Sequence, residues 1–334
     1  MSAPGSPRVG DVARAAGVSA QTVSNVMNNR GRFSDDARQR VLAAAHKLGY
    51  VPNRNARSLR LRRSRQIGIH MSSQDLDVHN PFAISLLRAL IEAADKVDHQ
   101  IVVFTHRRDT PPEPRTFAGH GVDGYVLFNS GPADPRPAIL TELSIPFALM
   151  GRTAPGLPQT WVDIDNAAAM ATLVDYLVIK GHRSFAYAEY DTDAYWMTER
   201  LTGARNRLRE HGIKLAESDV VVDSPDAVRT AVQRMLARKH RPSVIMHGSD
   251  TLAVATHKAA VQAGLTPGQD IAITGFFETL EDLAELEPPL TSVHVALPRV
   301  AALIIDRIIT EIEHGPTGSP GTILDTTISV GGSA

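Results

Sequence analysis

The chain of 334 residues contains no cysteine. Disulfide bonds, thiolate catalysis and cysteine-based zinc sites are therefore excluded, and the composition suits a reducing compartment. Long apolar runs are also missing, since none approaches the roughly 18 to 20 residues that a membrane-spanning helix needs. Residues 1–7 are small and polar, without the apolar stretch of a secretory signal. We therefore predict a cytoplasmic protein that has no membrane partner.

The sequence signatures of common enzyme classes are missing as well. The chain has no phosphate-binding loop, no Gly-x-Gly-x-x-Gly motif after a strand and no Gly-x-Ser-x-Gly turn. Its 13 histidines are scattered, and no pair has the spacing of a zinc-binding helix. We expect a protein that is not an enzyme and that holds neither a metal ion nor a cofactor.

Acidic residues are scarce at the start of the chain. Residues 1–65 carry thirteen Lys/Arg and three Asp, a net charge of +10, whereas the remaining 22 basic and 33 acidic residues sum to −11. A basic segment joined to an acidic body is typical of a polyanion-binding head attached to a regulatory domain.

The head has the pattern of a helix-turn-helix. Residues 11–16 form a short helix with one apolar edge, Gly17 allows a tight turn, and Ser19 is a good N-cap for a second helix at 20–27. The apolar residues of this second helix share one face and leave Ala20, Gln21, Ser24 and Asn25 on the other. Because Gln and Asn can pair bidentately with adenine, this face suits a DNA major groove.

A third helix completes the predicted head. Ser34 caps residues 35–48, Gly49 ends the helix, and its apolar face comprises Val41, Leu42, Ala45 and Leu48. Beyond it lies a basic stretch with one bulky apolar side chain, Leu59, that has nothing nearby in sequence to bury it.

The head resembles that of the LacI/GalR family of bacterial repressors. The matching residues are Gly10-Asp11-Val12-Ala13, Ala16-Gly17-Val18-Ser19, Thr22-Val23-Ser24-Asn25-Val26-Met27-Asn28, Leu48-Gly49-Tyr50-Val51-Pro52-Asn53 and Ala56-Arg57-Ser58-Leu59. The resemblance implies that Ala20, Gln21 and Asn25 read base edges and that Thr22 and Ser24 contact phosphates. Many members carry Arg where this chain has Asn25, so their base preference does not carry over.

The same resemblance implies a hinge helix after the head. Residues 56–60 would fold in the minor groove, with Leu59 wedged into the central base step, where unstacking energy is exchanged for a bent site with more contacts. The predicted DNA-binding set is Ser19, Ala20, Gln21, Thr22, Ser24, Asn25, Asn53, Ala56, Arg57, Leu59 and Arg60.

From residue 66 the pattern changes to apolar strands that alternate with amphipathic helices. Strands are predicted at 67–70, 101–104, 125–128, 147–150, 185–188, 220–222, 244–246 and 271–274, and helices at 82–97, 166–180, 198–211, 225–238, 250–263 and 299–314. This alternation predicts an α/β body of two doubly wound parallel sheets with a ligand cleft at their carboxyl ends.

The family resemblance extends over the body and implies the fold of periplasmic sugar-binding proteins. Its markers include Val122-Asp123-Gly124, Lys180-Gly181-His182-Arg183, Ser249-Asp250 and Pro289-Leu290-Thr291-Ser292-Val293. The predicted domains are a head at 1–51, a hinge at 52–65 and a body at 66–334. Within the body, one subdomain would comprise about 66–163 and 291–322, and the other about 164–290 and 323–334.

A guanidinium, carboxylates and aromatic rings are the groups expected to bind an effector. The predicted set is Phe82, Arg152, Asp165, Trp196, Arg200, Asp250 and Phe277. Charged groups can bracket sugar hydroxyls, and rings can cover the apolar face of a pyranose. The resemblance singles out Arg200 and Asp250 for a sugar, whereas Arg152 and Asp165 could equally order the crossing between subdomains.

Two departures from the family pattern lie near the expected cleft. Phe277-Glu278 stands where members have paired aspartates, and residues 106–120 show no clear helix where members normally have one. Both bear on which ligand the cleft accepts.

Together these features predict a homodimeric repressor on a palindromic double-stranded operator, controlled allosterically by a small carbohydrate in the cleft. The alternative is a corepressor mode with a purine or another non-sugar metabolite as the ligand.

Overall fold

The computed structural model describes residues 7–27, 33–50, 63–72, 81–106, 112–153, 160–192, 194–277, 286–317 and 321–334. It divides the chain into two units, a head at residues 1–64 and a body at residues 65–334. No helix within the described ranges is long and apolar enough to cross a membrane.

The described head consists of three helices. They are α1 (Val9–Ala16), α2 (Ala20–Met27) and α3 (Asp35–Leu48). Gly17 and Gly49 follow α1 and α3 in the left-handed conformation, with φ of 65° and 63°. Glycine adopts this conformation without a steric penalty, so each one ends its helix where the sequence predicts.

Valines form the centre of the head. Val12, Val23 and Val41, one from each helix, are fully buried, and small alanines let the helices approach one another. The expected core residue Leu42 is instead 45% exposed. Because one residue turns an α-helix by about 100°, Leu42 points away from the face that Val41 buries. Leu48, also expected in the core, lies 38% exposed at the last residue of α3.

The described residues of the body form two six-stranded sheets. The first has the order β11-β5-β4-β3-β1-β2 and the second β12-β10-β9-β8-β6-β7. All neighbours are parallel except β10 and β12. The strands are β1 (Gln66–Ser72), β2 (Gln100–His106), β3 (Gly124–Leu127), β4 (Phe147–Met150), β5 (Thr160–Ile164), β6 (Phe185–Tyr190), β7 (Val220–Asp223), β8 (Val244–His247), β9 (Ala272–Phe277), β10 (Thr291–His294), β11 (Thr322–Leu324) and β12 (Thr327–Ser329).

Helices connect most of the consecutive parallel strands in the described ranges, since a parallel pair needs a crossover connection. They are α4 (Pro81–Asp95), α5 (Pro114–Phe117), α6 (Arg136–Glu142), α7 (Asn166–Ile179), α8 (Tyr195–Glu210), α9 (Pro225–Ala237), α10 (Asp250–Gln262) and α11 (Leu297–His314). All eight predicted strands are present. The departure expected near 106–120 takes the form of α5, a single helical turn.

The chain changes sheets three times. It leaves the first sheet after β5, returns to it between β10 and α11, and leaves it again between β11 and β12. The strand at 291–294 therefore belongs to the second sheet and the strand at 322–324 to the first, so the last two crossings fall a few residues after the predicted 290 and 322. Both strands were missed because they are short and lack the long alternation of the others.

Glycine 203 sets the spacing of α7 and α8. A Cβ at this position would lie 2.4 Å from the carbonyl oxygen of Ala167 and 2.7 Å from its Cα. These are backbone atoms, so no rotamer change relieves the overlap. Close packing of the two helices fixes the first half of α8, which carries the aromatic and charged side chains described below.

We expect Gly203→Ala to destabilise the body by about 1–3 kcal/mol, the usual cost of overpacking, because α7 and α8 must separate. Urea unfolding of both proteins measures the difference. The matched control is Gly10→Ala, where no atom lies within 4 Å of the added methyl group. An unchanged urea midpoint for Gly203→Ala would show that the helix pair is not tightly packed.

Candidate functional site

The outer face of α2 carries short polar side chains. Ser19 caps the helix, as predicted, by accepting a hydrogen bond from the Thr22 amide at 3.0 Å. Ala20 and Gln21 are exposed, whereas Val23 and Val26 are buried against the other helices. The helix contains no charged residue. Sequence-specific contacts from α2 would therefore depend on neutral donors and acceptors.

Two pairs of side chains are hydrogen-bonded on this face. Ser19 Oγ and Thr22 Oγ1 lie 2.9 Å apart, and Gln21 Nε2 donates to Asn25 Oδ1 at 2.9 Å. Ser24 lies half-buried beside them. The remaining predicted DNA contacts, Asn53, Ala56, Arg57, Leu59 and Arg60, lie with the proposed hinge helix outside the described residues.

Arg200, from the first half of α8, lies at the centre of the candidate cleft and is only 1% exposed. Its Nε donates to Asn166 Oδ1 at 2.9 Å and its Nη1 to the Gly248 carbonyl at 2.5 Å. No described residue accepts a hydrogen bond from Nη2. Burial lowers the pKa of Arg200 to about 10, which leaves the guanidinium charged at neutral pH.

Aromatic rings enclose this guanidinium. Arg200 Cζ lies 3.8 Å from the centre of the Phe276 ring, 4.3 Å from that of Trp196 and 4.6 Å from that of Phe277. Phe82, in the first turn of α4, contacts Phe277 with ring centres 4.3 Å apart. The predicted residues Phe82, Trp196, Arg200 and Phe277 thus come together. They lie at or just beyond the carboxyl ends of β1, β6 and β9, where ligands bind in open parallel sheets.

Further contacts join the two sheet layers at this edge. Trp196 Nε1 donates to Asn129 Oδ1 at 3.3 Å, and the Tyr195 amide donates to the Ser130 carbonyl at 3.3 Å. Asn129 and Ser130 follow β3 of the first sheet, whereas Tyr195 and Trp196 begin α8 beside the second. These bonds hold the two subdomains together across the cleft.

Arg152 joins the same two layers by an ion pair. Its Nε donates to Asp163 Oδ2 at 2.8 Å within the first sheet, and its Nη2 lies 2.7 Å from both carboxylate oxygens of Glu199 on α8. Burial raises the pKa of Asp163 and of Glu199, against the opposing effect of the Arg152 charge. Arg152 therefore orders the crossing, one of the two roles that its sequence position suggested.

The two predicted aspartates have other contacts. Asp165 is exposed and caps α7, because its Oδ1 accepts a hydrogen bond from the Ala168 amide at 2.8 Å. Asp250 is 3% exposed and accepts a hydrogen bond from Ser292 Oγ at 2.6 Å. No described contact joins Asp165 to Arg200, whereas Asp250 is close enough to affect the pKa of Arg200.

Sequence reasoning missed the most unusual group near the cleft, Glu189 at the end of β6. Its Oε1 accepts hydrogen bonds from the Tyr190 amide at 2.8 Å and from Ser249 Oγ at 3.3 Å, but Oε2 is buried without a partner among the described residues. Burial raises the pKa of Glu189 to about 7. The available signal was an acidic residue in an otherwise apolar and aromatic strand.

Gly248 makes room for this carboxylate. A Cβ there would lie 1.9 Å from Glu189 Oε2 and 2.7 Å from the hydroxyl of Tyr187, which is also buried without a partner in the described ranges. Burial raises the pKa of Tyr187 as well. Asp163, Asn166, Glu199 and Phe276 were likewise missed, because only tertiary contacts distinguish them from ordinary core or surface residues. The described residues contain no cluster of side chains suited to a metal ion.

A helix-turn-helix head followed in sequence by a body of two mainly parallel sheets defines the architecture of a transcriptional regulator. Comparison with known families agrees. Residues 9–53 match the family described as bacterial regulatory proteins, lacI family, and residues 174–334 match the periplasmic binding protein-like domain.

Similar proteins span nearly the whole chain. The HTH-type transcriptional regulator DegA of Bacillus subtilis (strain 168) is 31% identical over 301 residues, covering 87% of each chain. The HTH-type transcriptional regulator CelR of Thermobifida fusca is 31% identical over 321 residues, covering 91% of this chain and 93% of CelR. A solved structure of a CelR–cellobiose complex matches with a TM-score of 0.73 and 27% identity over 98% of this chain and 100% of that one. The chain belongs to the LacI family of bacterial regulatory proteins.

Proposed function

We propose that the protein is a repressor that binds palindromic operator DNA as a homodimer and releases it when a small carbohydrate occupies the cleft. The observation that carries the DNA-binding part is the uncharged face of α2, where the Gln21 amide is exposed, within a basic segment, residues 1–65, whose net charge is +10. The positive charge supplies affinity for phosphates, and the amides supply base contacts. The relatives are named as transcriptional regulators, which fits this role.

The effector part rests on the residues around Arg200. The guanidinium retains Nη2 as a donor for a hydroxyl, and rings such as Trp196 offer faces and edges to the apolar side of a sugar. Trp196 and Arg152 make contacts between the two subdomains across the cleft. A ligand that alters these contacts can change the relative position of the subdomains. A ligand shifts that position only if it binds one arrangement more tightly than the other.

The decisive test of DNA binding is its salt dependence. We expect the full chain to retain double-stranded DNA, with affinity falling about 10³-fold or more between roughly 50 and 200 mM salt, as for proteins that make several phosphate contacts. Fluorescence anisotropy on a genomic fragment selected by the protein measures this. A chain of residues 65–334 is the control and should bind at least a hundredfold more weakly. Equal binding by both chains would refute the proposal.

The effector proposal is tested separately by thermal shift of the full chain against cellobiose, ribose and hypoxanthine. A ligand at a hundred times its Kd stabilises the state that it binds by about 2.7 kcal/mol, which raises Tm by several degrees. A shift with a sugar supports the carbohydrate proposal, and the same sugar should weaken DNA binding. A shift with hypoxanthine alone would support the corepressor alternative instead.

A further inference from the structure

The base-reading face of α2 is organised by one hydrogen bond between neighbouring turns. Gln21 and Asn25 are four residues apart, so their side chains lie one above the other on the helix surface. Gln21 Nε2 donates to Asn25 Oδ1 at 2.9 Å. We propose that Asn25 is a positioning residue that turns the Gln21 amide toward adenine and against guanine; this inference rests on the proposed DNA-binding function.

The stereochemistry of the amide gives the reason. A primary amide has two N–H donors and one carbonyl acceptor. The bond to Asn25 occupies one of these two N–H donors, and our proposal takes it to be the N–H that points away from the Gln21 carbonyl. The other N–H and Oε1 remain side by side as one donor and one acceptor. That pair complements the major-groove edge of adenine, which presents the N7 acceptor beside the N6 donor.

The same arrangement disfavours guanine. Guanine presents two acceptors, N7 and O6, so Oε1 of Gln21 would face another oxygen. Without the bond to Asn25, the amide could rotate and present both of its N–H donors to guanine. No Arg or Lys lies in α2 to take over the usual contact with guanine. At the base pair that Gln21 contacts, the helix therefore prefers A·T over G·C.

Methyl recognition can strengthen this preference from the neighbouring position. Ala20 is exposed beside Gln21 and carries only a methyl group, which suits contact with the C5-methyl of thymine. Ser19 Oγ is hydrogen-bonded to the Thr22 hydroxyl and accepts from the Thr22 amide, so these two hydroxyls are less free to read bases. Gln21 thus carries most of the discrimination from this turn, and Asn25 determines its direction.

The test is selection of full-length protein on a library of palindromic duplexes with randomised half-sites, followed by sequencing. We expect the wild type to favour adenine over guanine at one half-site position by roughly five- to a hundredfold, the range for a bidentate pair. Gln21→Ala should abolish this preference. Asn25→Ala should reduce it to less than about threefold while changing the affinity for the selected duplex by less than about tenfold.

The matched control is Gln39→Ala, the same substitution at an exposed glutamine of α3, which should leave the selected sequence unchanged. The inference is overturned if Asn25→Ala keeps the full adenine preference, if it loses a preference at a different position, or if the wild type selects guanine. Selection of no sequence by the wild type would overturn the inference together with the proposed DNA binding. Any of the first three results leaves the proposed DNA binding intact.

Discussion

Replacing Arg200 with alanine should destabilise the body by about 3–5 kcal/mol, the cost of leaving buried charges uncompensated. The guanidinium is fully buried, and the carboxylates of Glu189, Asp163 and Asp250 are close enough to act on its pKa. Its removal would also leave a cavity between three aromatic rings and two acceptors without donors. Each of these losses lowers the stability of the folded body.

The measurement is urea unfolding followed by tryptophan fluorescence, because Trp196 lies against Arg200. Arg209→Ala on the same helix is the matched control. Its guanidinium is exposed and, among the described residues, donates only to Asn206, so its loss should change stability by less than about 0.5 kcal/mol. A cost below about 1 kcal/mol for Arg200→Ala would show that the guanidinium is not a structural part of the cleft.

Arg200→Lys separates charge from shape. Lysine keeps the positive charge, but its single ammonium cannot reproduce the planar fork that reaches Asn166 and Gly248 while lying against rings. We expect Arg200→Lys to destabilise the body by less than Arg200→Ala does, but measurably relative to the wild type. Arg200→Ala is expected to destabilise the body, so a lost effector response in that variant has two explanations, a disturbed fold or a lost ligand contact. An Arg200→Lys protein that keeps its stability but loses the effector response would support contact between the guanidinium and the ligand.

The fold was predictable because its determinants are local. Turn glycines such as Gly17 and Gly49, the N-caps Ser19 and Ser34, and the alternation of strands and helices are all visible in short windows of sequence. The strands at 291–294, 322–324 and 327–329, the helix at 136–142 and the strand at 160–164 escaped, and the first three of these strands have only three or four residues, too short a pattern to recognise. The strand at 160–164 carries a buried aspartate that interrupts its apolar run.

The candidate cleft was predictable only in part. Phe82, Trp196, Arg200 and Phe277 come together as the sequence suggested, since they follow or end predicted strands whose carboxyl ends meet at one edge. Asp165 does not join them, because an aspartate before a helix serves equally well as an N-cap. Which role an aspartate takes depends on the distance to its neighbours, and the sequence contains no information about that distance.

Glu189 shows the limit most clearly. A glutamate in a strand is normally read as an edge or surface residue, yet this one is 1% exposed. It is accommodated because Gly248, which is far away in sequence and directly follows the adjacent strand β8, has no side chain. The fit between a large side chain and a glycine that leaves space for it cannot be recognised from either position alone.

The free energy of unfolding should depend on pH through the carboxyl group of Glu189. Burial raises the pKa of Glu189 from about 4.5 to about 7 in the folded protein. The folded state therefore binds a proton more tightly than the unfolded state, so Glu189 favours folding at low pH. Its contribution falls as the pH rises from about 4.5 through 7. A difference of two to three pKa units corresponds to a loss on the order of 3 kcal/mol.

Glu189→Gln should remove this loss. The amide is uncharged at every pH, keeps an oxygen for the Tyr190 amide and Ser249, and places an N–H donor beside the unpartnered hydroxyl of Tyr187. We expect the variant to be more stable than the wild type at pH 8 by a few kcal/mol and nearly equal to it at pH 5. Urea midpoints at both pH values measure the change.

Other groups near the cleft also titrate, so the comparison must be between variants at the same pH. Glu217→Gln is the matched control, because the Glu217 side chain is 82% exposed in its pair with Arg205 and its replacement should change stability by less than about 0.5 kcal/mol. Coupling provides a second check: Arg200→Ala should cost less in the Glu189→Gln background, since one uncompensated carboxylate is gone. Parallel pH profiles for wild type and Glu189→Gln would mean that Glu189 titrates in contact with water and that the cleft is more open than the contacts of Arg200 imply.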